Sequence, residues 1–255
     1  MHIAVTREVS AAIQRCELSY LPRTEIDLGL ARAQHRAYEE ALASLGCRVR
    51  RLPELPEQPD SVFVEDTAVV LDELAVITRP GAGSRRDETA SMAAVLGEYR
   101  TLVRIAASGT LDGGDVLSIG RILYVGLSAR SNREGASQLA AAVAPHGYRV
   151  ITLEPKGCLH LKTAATLVAP GLVLINPAWV DRRAFEDMDC VEVDPAEPHG
   201  ANAVLIGQNV IYPASFPRTR ERLRGRALEV VSVDMSETEK AEGGVTCCSL
   251  IFRGP

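Results

Sequence analysis

Seven side chains able to do chemistry stand at corresponding places in a repeated pattern: Glu65 and Asp66, Asp112 and Asp115, His160, Asn202 and Cys247. Each lies at the start of a segment that turns apolar just after it. A single buried histidine or cysteine usually serves packing. Here the same place is polar in five successive segments, and the types combine a nucleophile, a proton carrier and an anionic pocket. A cysteine thiolate attacks electrophilic carbon, while an imidazole can protonate a leaving group and later deprotonate water. Carboxylates beside a thiol raise its pKa by repulsion, so the set suits a cationic substrate that offsets their charge. A planar guanidinium fits best, because each edge presents paired N–H donors to a carboxylate.

Those residues must be placed by the elements around them. The chain opens with a short apolar strand over 2–5 and an irregular polar stretch. A helix is predicted over 27–45, with Asp27 as N-cap, apolar or small residues at Leu30, Ala33, Ala37, Ala41 and Leu45, and Gly46 as terminator. A strand follows over 48–52. Four times thereafter the order is strand, tight turn, strand, then a polar connection into a helix: 64–70 with 74–78, 115–119 with 122–125, 165–168 with 172–175, and 203–206 with 209–212. The expected helices begin after Arg85, after Ser131, near Asp181 and near Pro217. A last strand, over 243–251, has no partner in its own module, and the strand over 2–5 has no module. Pairing the two closes a ring of five modules and removes two exposed sheet edges. An open mixed sheet would show the same alternation; the matching counts favour the ring. In a ring the module starts converge on the axis.

The composition agrees with a globular protein. The 255 residues are 46% hydrophobic and 24% charged, which excludes disorder and fibrous repeats. A net charge of −5 excludes a generally basic nucleic-acid surface, and no apolar run approaches the roughly 18 residues of a membrane span. The first residues lack a secretion signal, so a soluble, cytoplasmic protein is expected. The six cysteines are then expected to be reduced. No Cys-x-x-Cys pair or zinc-like histidine spacing occurs, and no structural metal is expected.

Longer motifs carry a resemblance. Pro59-Asp-Ser-Val-Phe-Val-Glu-Asp66, Ile77-Thr-Arg-Pro-Gly-Ala82 with Ser84-Arg-Arg86, Leu111-Asp-Gly-Gly-Asp115, Gly126-Leu-Ser-Ala-Arg130 with Asn132, His160-Leu-Lys-Thr163 and Gly244-Val-Thr-Cys-Cys-Ser249 resemble the dimethylarginine dimethylaminohydrolase (dimethylargininase) family. The match runs from Asp27 to the C-terminal strand. That family belongs to the guanidino-group-modifying enzymes, so the resemblance implies an α/β fold, a five-bladed α/β propeller (pentein) of ββαβ modules closed by the N-terminal strand. One catalytic domain over 1–255 is expected, with a substrate lid at about residues 10 to 24.

The resemblance also implies roles. Cys247 is the nucleophile, His160 the general acid/base and Asp112 its acidic support. Asp66, with Glu65 beside it, binds the guanidinium. Asp60 holds the α-amine, helped by backbone carbonyls near Leu18 and Ala241, and Arg85 with Arg130 clamps the α-carboxylate. The implied reaction converts asymmetric dimethylarginine or monomethylarginine to L-citrulline and an amine through a covalent S-alkylthiouronium. No cofactor and no metal is implied, the partner is a small guanidino amino acid, and a monomer or homodimer is expected. Cys248 is read as a bystander, because neighbours in a strand face opposite ways. The lid departs from the family at Arg15, Cys16 and Tyr20, which leaves unmethylated arginine or another guanidino acid open as substrate. An arginine deiminase or amidinotransferase shares the Cys-His-acid set but differs in leaving group or acceptor, and a non-catalytic propeller would lack that set.

Overall fold

A computed structural model describes residues 1–254; Pro255, the last residue of the expected domain, lies outside the described residues. The chain begins with β1 (His2–Arg7), α1 (Leu28–Ser44) and β2 (Cys47–Leu52). Four modules follow: β3 (Ala68–Val70), β4 (Leu74–Ile77), α2 (Glu88–Leu96) and β5 (Thr101–Arg104); then β6 (Val116–Ile119), β7 (Ile122–Gly126), α3 (Arg133–Val143) and β8 (Arg149–Leu153). Next come α4 (Leu161–Ala164), β9 (Ala165–Ala169), β10 (Leu172–Ile175) and β11 (Asp189–Glu192), then β12 (Val204–Ile206), β13 (Asn209–Pro213), α5 (Pro217–Arg224) and β14 (Glu229–Val233). The chain ends with α6 (Ser236–Glu239) and β15 (Leu250–Arg253).

Each module is one three-stranded sheet: an antiparallel hairpin followed by a crossover to a parallel third strand, as in β6–β7–β8. The hairpins are tight because Gly120, Gly171 and Gly207 adopt φ of 58°, 73° and 61°, where a Cβ is costly. The fifth sheet is β15–β1–β2, with β15 antiparallel to β1 from His2↔Arg253 to Val5↔Leu250. The two ends of the chain therefore complete one module and close the ring, as expected. No single core exists. Five apolar clusters each join neighbouring modules, such as Leu117 and Tyr124 against Val173, Ile175 and Phe185, or Ile3 and Val5 against Ile77 and Met92. At about 1.5–3 kcal/mol for each large apolar side chain buried, these seams hold the ring shut.

Four expectations need correction. The strands expected over 64–70 and 115–119 begin later, because 3-10 turns at Val64–Thr67 and Gly113–Asp115 precede them. A strand would have sent Glu65 and Asp66 to opposite faces; the turn buries both. Cys247 and Cys248 likewise lie in a turn and not in the strand expected over 243–251. Cys248 still leaves the site, but through burial in an apolar cluster and not through strand alternation. Helix α1 starts as expected, with Asp27 Oδ1 accepting from the Leu30 N–H at 2.9 Å. Its inward face, however, is Ala31, Gln34, His35, Tyr38, Glu39 and Leu42, and Leu30 is exposed. Polar burial there is supported by bonds such as Thr6 Oγ1 to Glu39 Oε1 at 2.6 Å, which apolar periodicity cannot register. Finally, the helix expected near Asp181 is only a 3-10 turn, Arg182–Phe185.

Candidate active site

The module starts meet at the N-terminal ends of the inner strands β3, β6, β9, β12 and β15. Asp66 hangs from the first turn; its Oδ2 accepts from Arg85 Nη1 at 2.6 Å and its Oδ1 from the Gly114 N–H at 2.9 Å. Gly114 has to be glycine, because a Cβ there would sit 2.6 Å from His160 Nδ1 and 2.8 Å from Asp66 Oδ1. Asp112, completely buried, places Oδ2 3.1 Å from His160 Nε2, while its Oδ1 accepts from the Gly81 N–H at 2.9 Å. His160 stands immediately before α4, whose first N–H, that of Leu161, donates to Asp115 Oδ1 at 2.9 Å. The other Asp115 oxygen accepts from Ser128 Oγ at 2.6 Å, and Ser128 Oγ accepts in turn from the Arg130 N–H at 3.0 Å. One buried carboxylate thus fixes both the backbone after His160 and the loop that carries Arg130.

Cys247 is held by its turn. Its Sγ accepts from the Gly244 N–H at 3.3 Å, and its carbonyl accepts from the Glu65 N–H at 3.1 Å. Asn202 braces the same turn, Oδ1 accepting from the Thr246 N–H and Nδ2 donating to Thr246 Oγ1, both at 3.0 Å.

Charge sets the protonation states. Burial pushes the Cys247 thiol up to about 12, with the Glu65 and Asp66 carboxylates adding to it and the Gly244 N–H and Lys162 opposing. Burial pulls the His160 imidazolium down, but Asp66, the hydrogen bond to Asp112 and Asp115 together carry it up to about 9. Burial alone would raise Asp66; the His160 and Arg85 cations outweigh it and hold the carboxyl at about 2. Burial raises Asp115 to about 6 despite His160 and its hydrogen bonds. At neutral pH the site is a neutral thiol beside an imidazolium–carboxylate pair. Donor atoms of Asp66, Asp112 and His160 lie within 4.8 Å of one another, close enough for one cation to bridge.

A narrow cavity of about 20 Å³ is lined by Asp60, Asp66, Arg85, Arg130, His160, Ala241 and Cys247, together with Glu17 and Glu242. Asp112 lies directly behind His160. Leu18 and Glu65 do not line it. Leu18 packs against an apolar cluster. Glu65 pairs with Lys162, accepts from Thr246 Oγ1 at 2.7 Å, and lines a separate axial cavity between the inner strands. Of the expected guanidinium pair, only Asp66 lines this cavity. The two arginines also differ. Arg85 is committed to Asp66, to Glu88 at 2.9 Å and to the Asp60 and Phe63 carbonyls. Arg130 is buried, yet its one side-chain bond is from Nη2 to Ser19 Oγ at 3.3 Å, and among the described residues no carboxylate lies within 4.0 Å of it.

Residues 10 to 24 cross over this cavity. The Glu17 N–H donates to Asp60 Oδ2 at 3.1 Å, and Glu17 Oε1 accepts from Ser84 Oγ at 2.6 Å. Glu242 Oε1 accepts from three successive N–H groups, those of Ser19, Tyr20 and Leu21, at 3.0, 2.5 and 2.6 Å. Arg15 is exposed near Glu57, Cys16 is buried, and Tyr20 is half exposed. Sequence reasoning missed Lys162, Thr246, Glu17 and Glu242. The first two stand inside the quoted motifs, where spacing could have flagged them; the pairing of residues 17 and 242 left no local signal.

A family model described as N,N dimethylarginine dimethylhydrolase, eukaryotic, matches residues 5–252. A dimethylarginine dimethylaminohydrolase of Streptomyces coelicolor is 39% identical over 252 residues, covering 98% of this chain and 96% of that protein. One from Pseudomonas aeruginosa is 38% identical over 228 residues, covering 89% and 90%. A solved structure of a P. aeruginosa enzyme, a cysteine-to-serine mutant complexed with citrulline, superposes with a TM-score of 0.94 at 35% identity, covering 98% of each chain.

Proposed function

The chain belongs to the dimethylarginine dimethylaminohydrolase family, and from that premise we propose that it hydrolyses Nω-methylated L-arginine to L-citrulline and dimethylamine or methylamine. The observation that carries the reading is one cavity lined by Cys247, His160 and Asp66 together with Arg130, a buried guanidinium that no carboxylate pairs. A buried cation without a counter-ion suits an anion, here the substrate α-carboxylate. Asp60 and the Ala241 carbonyl receive the α-amine in the same cavity.

The cavity has room for about one water, so the lid over residues 10 to 24 opens to admit substrate. The guanidinium docks against Asp66 and brings a positive charge beside the sulfur. That charge opposes the carboxylate repulsion, and the thiol releases its proton to solvent. The Cys247 sulfur adds to the guanidinium carbon. His160, held by Asp112, gives its proton to the methylated nitrogen; the C–N bond breaks and the amine departs, leaving an S-alkylthiouronium. Water adds to the same carbon, one of its protons passes to His160, and the other goes to the departing sulfur as the C–S bond breaks, which returns the thiol and citrulline. Every residue named is supplied by the chain itself. All six cysteines are free thiols, which suits the reducing cytoplasm.

Citrulline release from asymmetric dimethylarginine, monomethylarginine and arginine, assayed side by side, tests the reading. Turnover of the methylated substrates is expected; a clear preference for unmethylated arginine would turn the assignment toward arginine deiminase.

A further inference from the structure

A second cavity, of about 250 Å³, adjoins the catalytic one. The two share Leu159, Glu242 and Gly243 as walls. Gly244, whose N–H donates to the Cys247 sulfur, also lines it. The remaining wall is largely apolar, with Tyr20 and Leu21 from the lid and Phe216 from the fourth module. Leu159 directly precedes His160 and Gly244 holds the Cys247 sulfur, which sets the chamber beside the nucleophile; Asp60, Arg85 and Arg130 do not line it. One acid is left over in its wall: Glu239 accepts from Ser215 Oγ at 2.8 Å through Oε2, while Oε1 is buried without a hydrogen-bond partner.

With the α-carboxylate at Arg130 and the guanidinium carbon at Cys247, a substituent on the distal nitrogen extends away from the amino-acid end. We propose that this chamber receives Nω-alkyl groups longer than methyl, so that the substrate class of the site is Nω-alkyl-L-arginines in general. The inference rests on the hydrolase reading above. The chemistry is unchanged: the bond from the guanidinium carbon to the alkylated nitrogen breaks, that nitrogen takes the His160 proton, and water supplies the citrulline oxygen. The departing primary amine keeps its alkyl chain against the apolar wall of the chamber.

The test is kcat/KM of the wild-type protein for Nω-methyl-, Nω-propyl- and Nω-butyl-L-arginine, read as citrulline and as released amine. The propyl compound is expected within about tenfold of the methyl one, since a fitted chamber makes each added methylene favourable or neutral. Phe216→Trp narrows the chamber and is expected to lower turnover of the butyl compound about tenfold or more, with the methyl compound within about twofold. Phe216→Ala is expected to move the butyl compound the other way. Wild-type turnover of the methyl compound alone overturns the chamber and leaves the hydrolase reading intact. Equal effects of both Phe216 variants on all three compounds overturn it as well. Failure to hydrolyse even the methyl compound removes the hydrolase reading, and the chamber with it.

Discussion

At the Cys247–His160 end of the cavity, Asp66, Asp112, Asp115 and His160 are at most 4% exposed and each is cross-bonded to a neighbouring module. At the Asp60–Arg130 end, the cover is a loop anchored by the buried Ile13 and Cys16 and by polar contacts of Glu17 and residues 19 to 21, and it is exposed at Tyr20. The first end is held by buried bonds between modules. The second includes residues 10 to 24 as its cover. Preorganised dipoles and charges serve the bond-making step, because they need no rearrangement at the moment of reaction. A guanidino amino acid must nevertheless enter, so rigidity at both ends would block access. Low local stability belongs where the substrate passes.

The largest expected effect breaks the rigid end. Cys247→Ser should lower citrulline formation at least about 10³-fold with little change in melting temperature, because it removes the sulfur and leaves the turn. A residual rate within tenfold of wild type in a citrulline assay would remove Cys247 from the chemistry.

Asp112→Asn tests whether the same end also sets protonation. In the substrate complex the thiol has already lost its proton and the step needs the His160 imidazolium as acid, so kcat should fall at alkaline pH as that proton is lost. Losing a charge-assisted hydrogen bond should move that alkaline limb down by about one to two pH units and cut the rate about 10²-fold or more. A pH–rate profile whose limb stays in place would detach Asp112 from His160. Stability follows the same group. The folded pKa lies above the ordinary 6.5, so its contribution is complete below pH 6.5 and disappears as pH rises through about 9. Melting temperature should fall across that window, and less steeply in His160→Gln.

The two arginines sharpen the contrast further. Arg85→Ala leaves Asp66 and Glu88 buried without their cation and should cost about 3–5 kcal/mol in denaturant unfolding. Arg130→Ala breaks no ion pair among the described residues; it should spare folding and raise KM about 10- to 100-fold for substrates with an α-carboxylate. Equal loss of stability in both would erase the distinction between a structural and a receptive guanidinium.

The smallest effect falls on the lid. Glu242 keeps a left-handed backbone, φ 59°, unusual outside glycine, while its carboxylate gathers three lid N–H groups. Glu242→Gln keeps an acceptor but removes the charge, so it should speed amide exchange at residues 19 to 21 and change KM by about two- to fivefold. Exchange as slow as in the wild-type protein would mean that the lid is held by other contacts.

Much of this arrangement was legible in the residues. Alternating apolar runs with glycine turns gave five modules, and the orphan strands at the two ends called for closure, because strand pairing is periodic and local. The polar module starts gave the residue types that meet at the axis, and the family motifs implied roles for them. The inward face of α1 was not legible, since its buried Gln34 and Glu39 are matched by partners distant in sequence. Nor was the turn at Cys247, which depends on Asn202 and Glu65 from other modules.

The sequence by itself determined the number of modules, the closure of the ring and the chemical types gathered at its axis, because each is written in short-range periodicity or in a contiguous motif. Only the tertiary structure decided which of those groups meet. It paired Glu65 with Lys162, gave Arg85 to Asp66 and Glu88 while leaving Arg130 without a carboxylate partner, and brought Glu242 onto a loop more than two hundred residues earlier. Charges pair through space, and once the ring has closed the nearest partner is set by module packing, not by separation along the chain.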